Sequence, residues 1–299
     1  HAIGKRSYAD SNFFDGYMAE VYFADGQSYA PTTFAETDDN GVWIPKEAKD
    51  DVSFGTNGFY MEFKQTGGSA NSSGIGADTS GQDNHFNVGN LAATDITTDT
   101  PTNNFCTWNP LDAASNISGR FSEGNMDVDI PGNNVVSGAE ARGCLSTIQF
   151  SKGKWYFEVE YEYGANGFQD AGGIGLIRTD TGFDIHGSTN TRNFSDNVFY
   201  YVDGPKTIDG THTSYGDAWT QNDIIGVAAN LDDNEVYFYK NGTIQNSGTA
   251  ISKTFGDGFY SIASFHGSAN GGTKMRLNTG NPSWSVSSGN SDGNGYGNF

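Results

Sequence analysis

Strict alternation of apolar and polar residues recurs through the best-patterned stretches of this chain and limits its fold more than any other feature. In "KGKWYFEVEYEYG", Trp155, Phe157, Val159, Tyr161 and Tyr163 share one face, and Tyr156, Glu158, Glu160 and Glu162 share the other. Successive side chains of a strand point to opposite sides, so this stretch predicts a half-buried β-strand. In "DIIGVAANLDDNEVYFYKNGTIQ" (223–245), Ile224, Ile225, Val227 and Ala229 run into Asp232, Asp233 and Asn234, and then Val236 and Phe238 alternate with Tyr237 and Tyr239. Asn241-Gly242 supplies the two positive-φ residues of a type I′ hairpin turn. Asp232 and Asp233 admit two readings, a turn or an acidic metal loop. A calcium loop needs about six oxygens at regular spacing and a closing Glu; that set is missing, and the turn reading is favoured.

Long helical patterns are scarce. Aromatic residues make up 14% of the chain and Gly 41 of its 299 residues, with Thr, Ser, Asn and Asp filling the gaps, a mixture suited to strands and tight turns. The expected class is all-β, in one large or two moderate domains. Sixteen Lys+Arg against 36 Asp+Glu give a net charge of -20, which argues against nucleic acid or an anionic membrane surface as partner. No run approaches the ~20 apolar residues of a membrane helix, so no membrane insertion is expected. The opening "HAIGKRSYAD" lacks the plan of a signal peptide, and a start at His1 suggests processing or further sequence upstream.

Catalytic signatures are few. The five histidines, His1, His85, His186, His212 and His266, have no metal-ligand spacing, and neither Cys106 nor Cys144 belongs to a C-x-x-C pair. One disulfide between the cysteines and two core thiols are both open readings. "GGIGLI" precedes no helix and carries no Lys-Ser/Thr, so it fails as a phosphate loop. Asp127 and Asp129 read as the outward face of a strand, with calcium as the lesser alternative. No catalytic residue, metal or cofactor is expected. One enzymatic alternative stands: Glu158 and Glu162 as the carboxylate pair of a retaining glucanase, which requires two carboxyl groups ~5–5.5 Å apart. The simpler reading of that face is a solvated acidic surface.

Four ordered motifs, "GKWYFEVEYEY" at 153–163, "GGIGLI" at 172–177, "SYGDAWTQNDIIGVAANLDDNEVYFYKNG" at 214–242 and "GFYSIASF" at 258–265, resemble a SPRY domain. The resemblance implies a concanavalin-like sandwich of two antiparallel sheets (a jelly roll) and a binding module whose partners are set by its loops. The first residues, with "FFDGYMAEVYFADGQSYAPTTF", "GVWIPKE" and "GTNGFYMEF", resemble the closing strands of a LamG-like lectin sandwich, as in tail and virion proteins of tailed bacteriophages, and "TDTPTNNFCTWNPL" (98–111) resembles the junction of such proteins. The implied division is a LamG-like part at 1–64, a Gly/Ser/Asn/Asp-rich linker at 65–102, a SPRY-like domain at 103–284 and a flexible tail at 285–299.

Together these resemblances imply a non-catalytic virion structural or adhesion protein, a tail fibre or capsid decoration on the particle surface. It would bind other virion proteins or a host surface glycan or protein, and assemble as a homo-oligomer, by family habit a trimer. The alternatives are a secreted glycan-cleaving enzyme using Glu158 and Glu162, and a cellular SPRY binding module. Recognition is expected on the longest connections, 178–197 and 202–219, and on the shorter 163–172, which together carry Phe168, Phe183, His186, Phe194, His212 and Tyr215. Inward packing of these rings as plugs at the sandwich ends is the competing reading.

Overall fold

The computed structural model describes residues 2–6, 13–14, 16–39, 41–96, 105–113, 120–131, 142–164, 172–180, 195–266, 272–286, 289–291 and 299. The chain divides into two compact units, residues 1–104 and 105–299. Among the described residues the only helical segments are three-residue 3-10 turns, as the alternation predicts.

In the first unit, β1 (Val21–Phe23) pairs antiparallel with β4 (Phe59–Met61), and β2 (Ala35–Thr37) with β3 (Trp43–Pro45). A small aromatic core forms around them: Tyr22 stacks on Tyr60 with ring centroids 4.3 Å apart and leans on Phe34 at 5.2 Å. Within the linker expected at 65–102, residues 75–86 are packed. Ile75 and Ala77 are buried, and Phe86 stands edge-on to Phe59 at 4.9 Å. The cause is a buried carboxylate. Asp78 accepts hydrogen bonds from the amides of Tyr60, Ser80 and Asn84, each at 2.9 Å, so the polar residues fold as turns around a shared acceptor.

The second unit holds β5 (Trp108–Ala113), β6 (Phe121–Ser122), β7 (Asp127–Pro131), β8 (Arg142–Phe150), β9 (Lys154–Gly164), β10 (Gly172–Arg178), β11 (Asn197–Tyr201), β12 (Lys206–Ile208), β13 (Thr211–Thr213), β14 (Asp223–Asn230), β15 (Glu235–Lys240), β16 (Thr243–Ile244), β17 (Ile251–Ser252), β18 (Tyr260–His266) and β19 (Gly272–Asn278). They form two sheets, in the orders β13-β12-β11-β10-β18-β8-β5 and β16-β15-β14-β9-β19-β7-β6, with β17 also on β15. Between them lies the main core, with Val159, Val227, Phe238 and Leu277 from one sheet and Ile174, Leu176, Val198 and Ile262 from the other. This is the antiparallel sandwich expected.

Asn241 and Gly242 have φ of 49° and 74°, as a type I′ turn between β15 and β16 demands. Asp232 accepts the Gly153 amide at 2.9 Å, and Asp233 accepts from the Asn230 side chain at 2.6 Å, so both acids serve a turn. The expected open connection at 202–219 instead contains the β12–β13 hairpin.

The glycines of "GGIGLI" have a packing role. A Cβ on Gly173 would lie 2.6 Å from the Phe265 ring, and one on Gly175 would lie 2.0 Å from the Val198 carbonyl oxygen and 2.9 Å from the Phe199 ring. Their absence lets Phe199 and Phe265 meet edge-on at 4.9 Å over β10. With Leu145, Ile177, Tyr201 and Ala263 these rings form a second buried cluster, so the sheet's central strands are buried on both faces. Cys106 and Cys144 are free thiols, which removes the disulfide reading. Cys144 lies on β8 opposite Ala113, whereas the Cys106 sulfur lies by the Ile148 carbonyl.

Candidate functional site

Strand register brings five connections to one end of the sandwich. Arg178, Tyr260 and Phe150 are aligned across β10, β18 and β8, while Lys154, Asn230 and Glu235 are aligned across β9, β14 and β15. The turns at 151–153, 209–210 and 231–234, the stem residues 179–180 and 195–196 and the segment 253–259 therefore share that end. Two cations tie together residues from three of these connections. Arg178 grips Asp180 through two hydrogen bonds, Nε to Oδ1 at 2.6 Å and Nη2 to Oδ2 at 3.1 Å, and its Nη1 reaches Asp196 at 3.5 Å. The guanidinium beside Asp180 holds that carboxyl below the usual carboxylate range. Gly258 leaves room for the guanidinium, since a Cβ there would lie 2.4 Å from Arg178 Nε.

Lys253, with its side chain only 1% exposed, reaches Asp196 at 3.3 Å and Asp209 at 2.9 Å and donates to the Thr254 carbonyl at 2.8 Å. A buried ammonium is tolerated only with such partners. Asp196 is thus shared by both cations. Beside this clasp Phe259 is 53% exposed, while its carbonyl accepts the Thr179 amide at 2.9 Å. The arrangement fixes loop stems on a rigid base next to an exposed ring, a geometry suited to presenting a contact surface.

Phe168, Phe183, His186 and Phe194 lie outside the described residues. The connection carrying Phe183, His186 and Phe194 is bounded by the clasped Asp180 and Asp196. Phe168 belongs to the connection that enters β10 at Gly172, at the other end of that strand. His212 lies on β13 and not on a loop; its ring is edge-on to Tyr201 at 5.1 Å, and its Nδ1 is 3.1 Å from Thr207 Oγ1. Tyr215 is corrected to a core contact. It wedges between Tyr200 at 5.3 Å and Phe238 at 5.9 Å, one from each sheet, and its hydroxyl accepts the Phe238 amide. Of the six, the structure places His212, on a strand, and Tyr215, against the core. Sequence reasoning missed Arg178, Lys253, Asp196, Asp209 and Phe259; the lone cation in "ISKTFGDGF" was the available signal, but its partners are distant in sequence.

The glutamate row is not the solvated face expected. Arg276 on β19 sits opposite Glu160 and bonds it at 3.0 Å; Glu162 takes Lys274 at 2.6 Å and Arg276 at 3.0 Å; Glu158 accepts from Asn278 at 3.0 Å and from Tyr156 at 2.9 Å. Asp127, nearly fully buried, joins the same network through Lys274 and Arg276 at 3.2 and 3.3 Å.

A family model described as "SPRY domain" matches residues 154–282, from the start of β9 to beyond β19. This segment is a SPRY domain. Ran-binding protein 9 of Xenopus tropicalis is 31% identical over 144 residues, covering 45% of this chain and 24% of the relative, and that of Xenopus laevis matches equally. The chain thus spans about a quarter of the length of these relatives. The SPRY domain of human HERC1 aligns with a TM-score of 0.43 at 16% identity, covering 57% of this chain and 96% of that one. Stonustoxin aligns at 0.41 and 16%, covering 58% and 27%. The relatives overturn the expectation of a virion protein on a particle surface: both are proteins of a eukaryote, and the SPRY match fits a cellular module.

Proposed function

We propose that the SPRY domain is a non-catalytic protein-interaction module of a cellular protein, and that it binds through the clasped end of the sandwich. The observation that carries this reading is Arg178 gripping both Asp180 and Asp196, the two stems of the longest connection, beside the exposed Phe259. A fixed base lowers the ordering cost a partner must meet, and an exposed aromatic ring is a common interface anchor. The relatives carry the name Ran-binding, so Ran is the first partner to test. The first unit reads with this as an accessory segment akin to the closing strands of a LamG-like sandwich, supported by its antiparallel pairs and aromatic core.

Titration of Ran with the full chain is expected to give binding that Phe259→Ala weakens about tenfold or more, roughly 1.4 kcal/mol, while Glu162→Gln leaves it unchanged. Binding indifferent to both Phe259→Ala and Asp196→Asn would move the surface elsewhere. Hydrolysis of a β-glucan that Glu162→Gln abolishes would replace the binding module with the glucanase reading.

A further inference from the structure

Phe150 links two exposed rings at the clasped end. It belongs to the main core, and its ring stacks on Trp155 of the opposite sheet with centroids 4.7 Å apart and planes 20° from parallel. Along the first sheet it is aligned with Tyr260, the neighbour of the exposed Phe259. Trp155 is 42% exposed, although it heads the row of Phe157 and Val159, which are buried. The indole is held in place. Its Nε1 donates to the Lys152 carbonyl at 2.8 Å across a turn in which Gly153 has a φ of 92°, and the Gly153 amide donates to Asp232 at 2.9 Å. A large ring fixed before binding loses little freedom when a partner covers it. Trp155 stands opposite Ala229 in the β9–β14 ladder, so a partner there meets the ring and not the backbone.

The cations of this end are sunk and its carboxylates face out. The side chains of Arg178 and Lys253 are 22% and 1% exposed, whereas their partners Asp180 and Asp209 are 44% and 48% exposed. Asp257, exposed and two residues before Phe259, gives its carbonyl to Arg178 Nη2 at 2.5 Å, and its carboxylate has no partner among the described residues. A group arriving at Phe259 therefore meets negative charge. Lys152 and Lys154, both exposed beside Trp155, oppose a run of positive charge, so complementarity calls for one cation near Phe259 and an apolar group at Trp155.

Resting on the reading of the clasped end as the binding surface, we propose that Trp155 is its second aromatic anchor and that the partner it fits is a protein segment presenting one arginine beside an apolar side chain. The apolar side chain covers the Trp155 ring. The guanidinium lies at Phe259, where it can stack on the ring and pair with Asp257 through its planar fork.

The test pans the full chain against a library of random linear peptides and titrates one recovered peptide, made synthetically, by fluorescence anisotropy. Recovered peptides should share an arginine beside an apolar residue. Binding should fall about tenfold or more with Trp155→Leu and with Phe259→Ala. It should fall severalfold with Asp257→Asn, and when citrulline replaces the peptide's arginine. Those last two changes leave the Phe150 stack intact, so they decide the matter even if Trp155→Leu lowers the melting temperature. Failure to recover a peptide, a peptide without a basic residue, or indifference to citrulline overturns the arginine; indifference to Trp155→Leu overturns the anchor. Where Phe259→Ala still removes binding in these cases, the clasped end stands and only the present inference falls. Indifference to both Phe259→Ala and Trp155→Leu removes the two together.

Discussion

Arg178 and Asp196 meet at 3.5 Å across the base of the connection between β10 and β11, while the Arg178 amide donates to the Asp196 carbonyl at 3.0 Å. Side chain and backbone therefore tie the same two residues. Arg178→Ala keeps only the backbone bond. It is expected to speed amide exchange at residues 178–180 and 195–197 while leaving the melting temperature almost unchanged, because exposed ion pairs add little to global stability. Slowed or unaltered exchange there would remove the clasp from the account.

Lys253 is the opposite case, a cation almost without water. Lys253→Met should leave Asp196 and Asp209 facing each other and cost about 2 kcal/mol, below the ~3–5 kcal/mol of a fully buried pair because the carboxylates keep access to solvent. Urea denaturation measures this. A neutral result would mean that packing of the methionine offsets the lost pairs.

Gly175→Ala tests the double-sided burial of β10. Its methyl would meet the Val198 carbonyl and the Phe199 ring, so a loss of about 1–3 kcal/mol or more is expected. Gly242→Ala, with open space around it, should cost less and act only through its φ of 74°.

Burial alone would raise the Asp78 pKa, but hydrogen bonds from Ser80 and from the amides of Tyr60 and Asn84 outweigh it and hold the carboxyl below its ordinary value. A depressed carboxylate stabilises the fold above its unfolded pKa of about 3.9, and that contribution is lost as pH falls through the lower folded value. Protection of the Tyr60 and Asn84 amides, relative to their intrinsic exchange rates at each pH, should therefore fall below about pH 4. Asp78→Asn, unable to accept all three amides, should show faster exchange at neutral pH, with a loss of about 1–2 kcal/mol.

Local features were legible from sequence. Alternation marked β9, β14 and β15, and Asn241-Gly242 named its own turn, because side-chain direction and φ preference are set within a few residues. Non-local chemistry was not. The glutamates of β9 gave no sign of Lys274 and Arg276, which reach them only through strand pairing. The close spacing of Gly173 and Gly175 gave no sign of Phe265 and Phe199, which pack over them. In the 65–90 stretch, polar composition suggested a linker, yet one buried carboxylate organises it. Phe259 read as part of the strand pattern of "GFYSIASF", but it precedes β18 and stays half in solvent. The virion expectation rested on resemblance of the first unit and the junction, with no physical feature of the sandwich behind it.

The central claim is that the clasped end of the sandwich is the partner-binding surface. Hydrogen exchange on the full chain, with and without the proposed protein partner, tests it directly. Protection confined to residues 178–180, 195–197 and 253–260 is the predicted result. Protection on the β9–β19 face, or at the opposite end around Asp223 and Lys240 with none at Phe259, would contradict it.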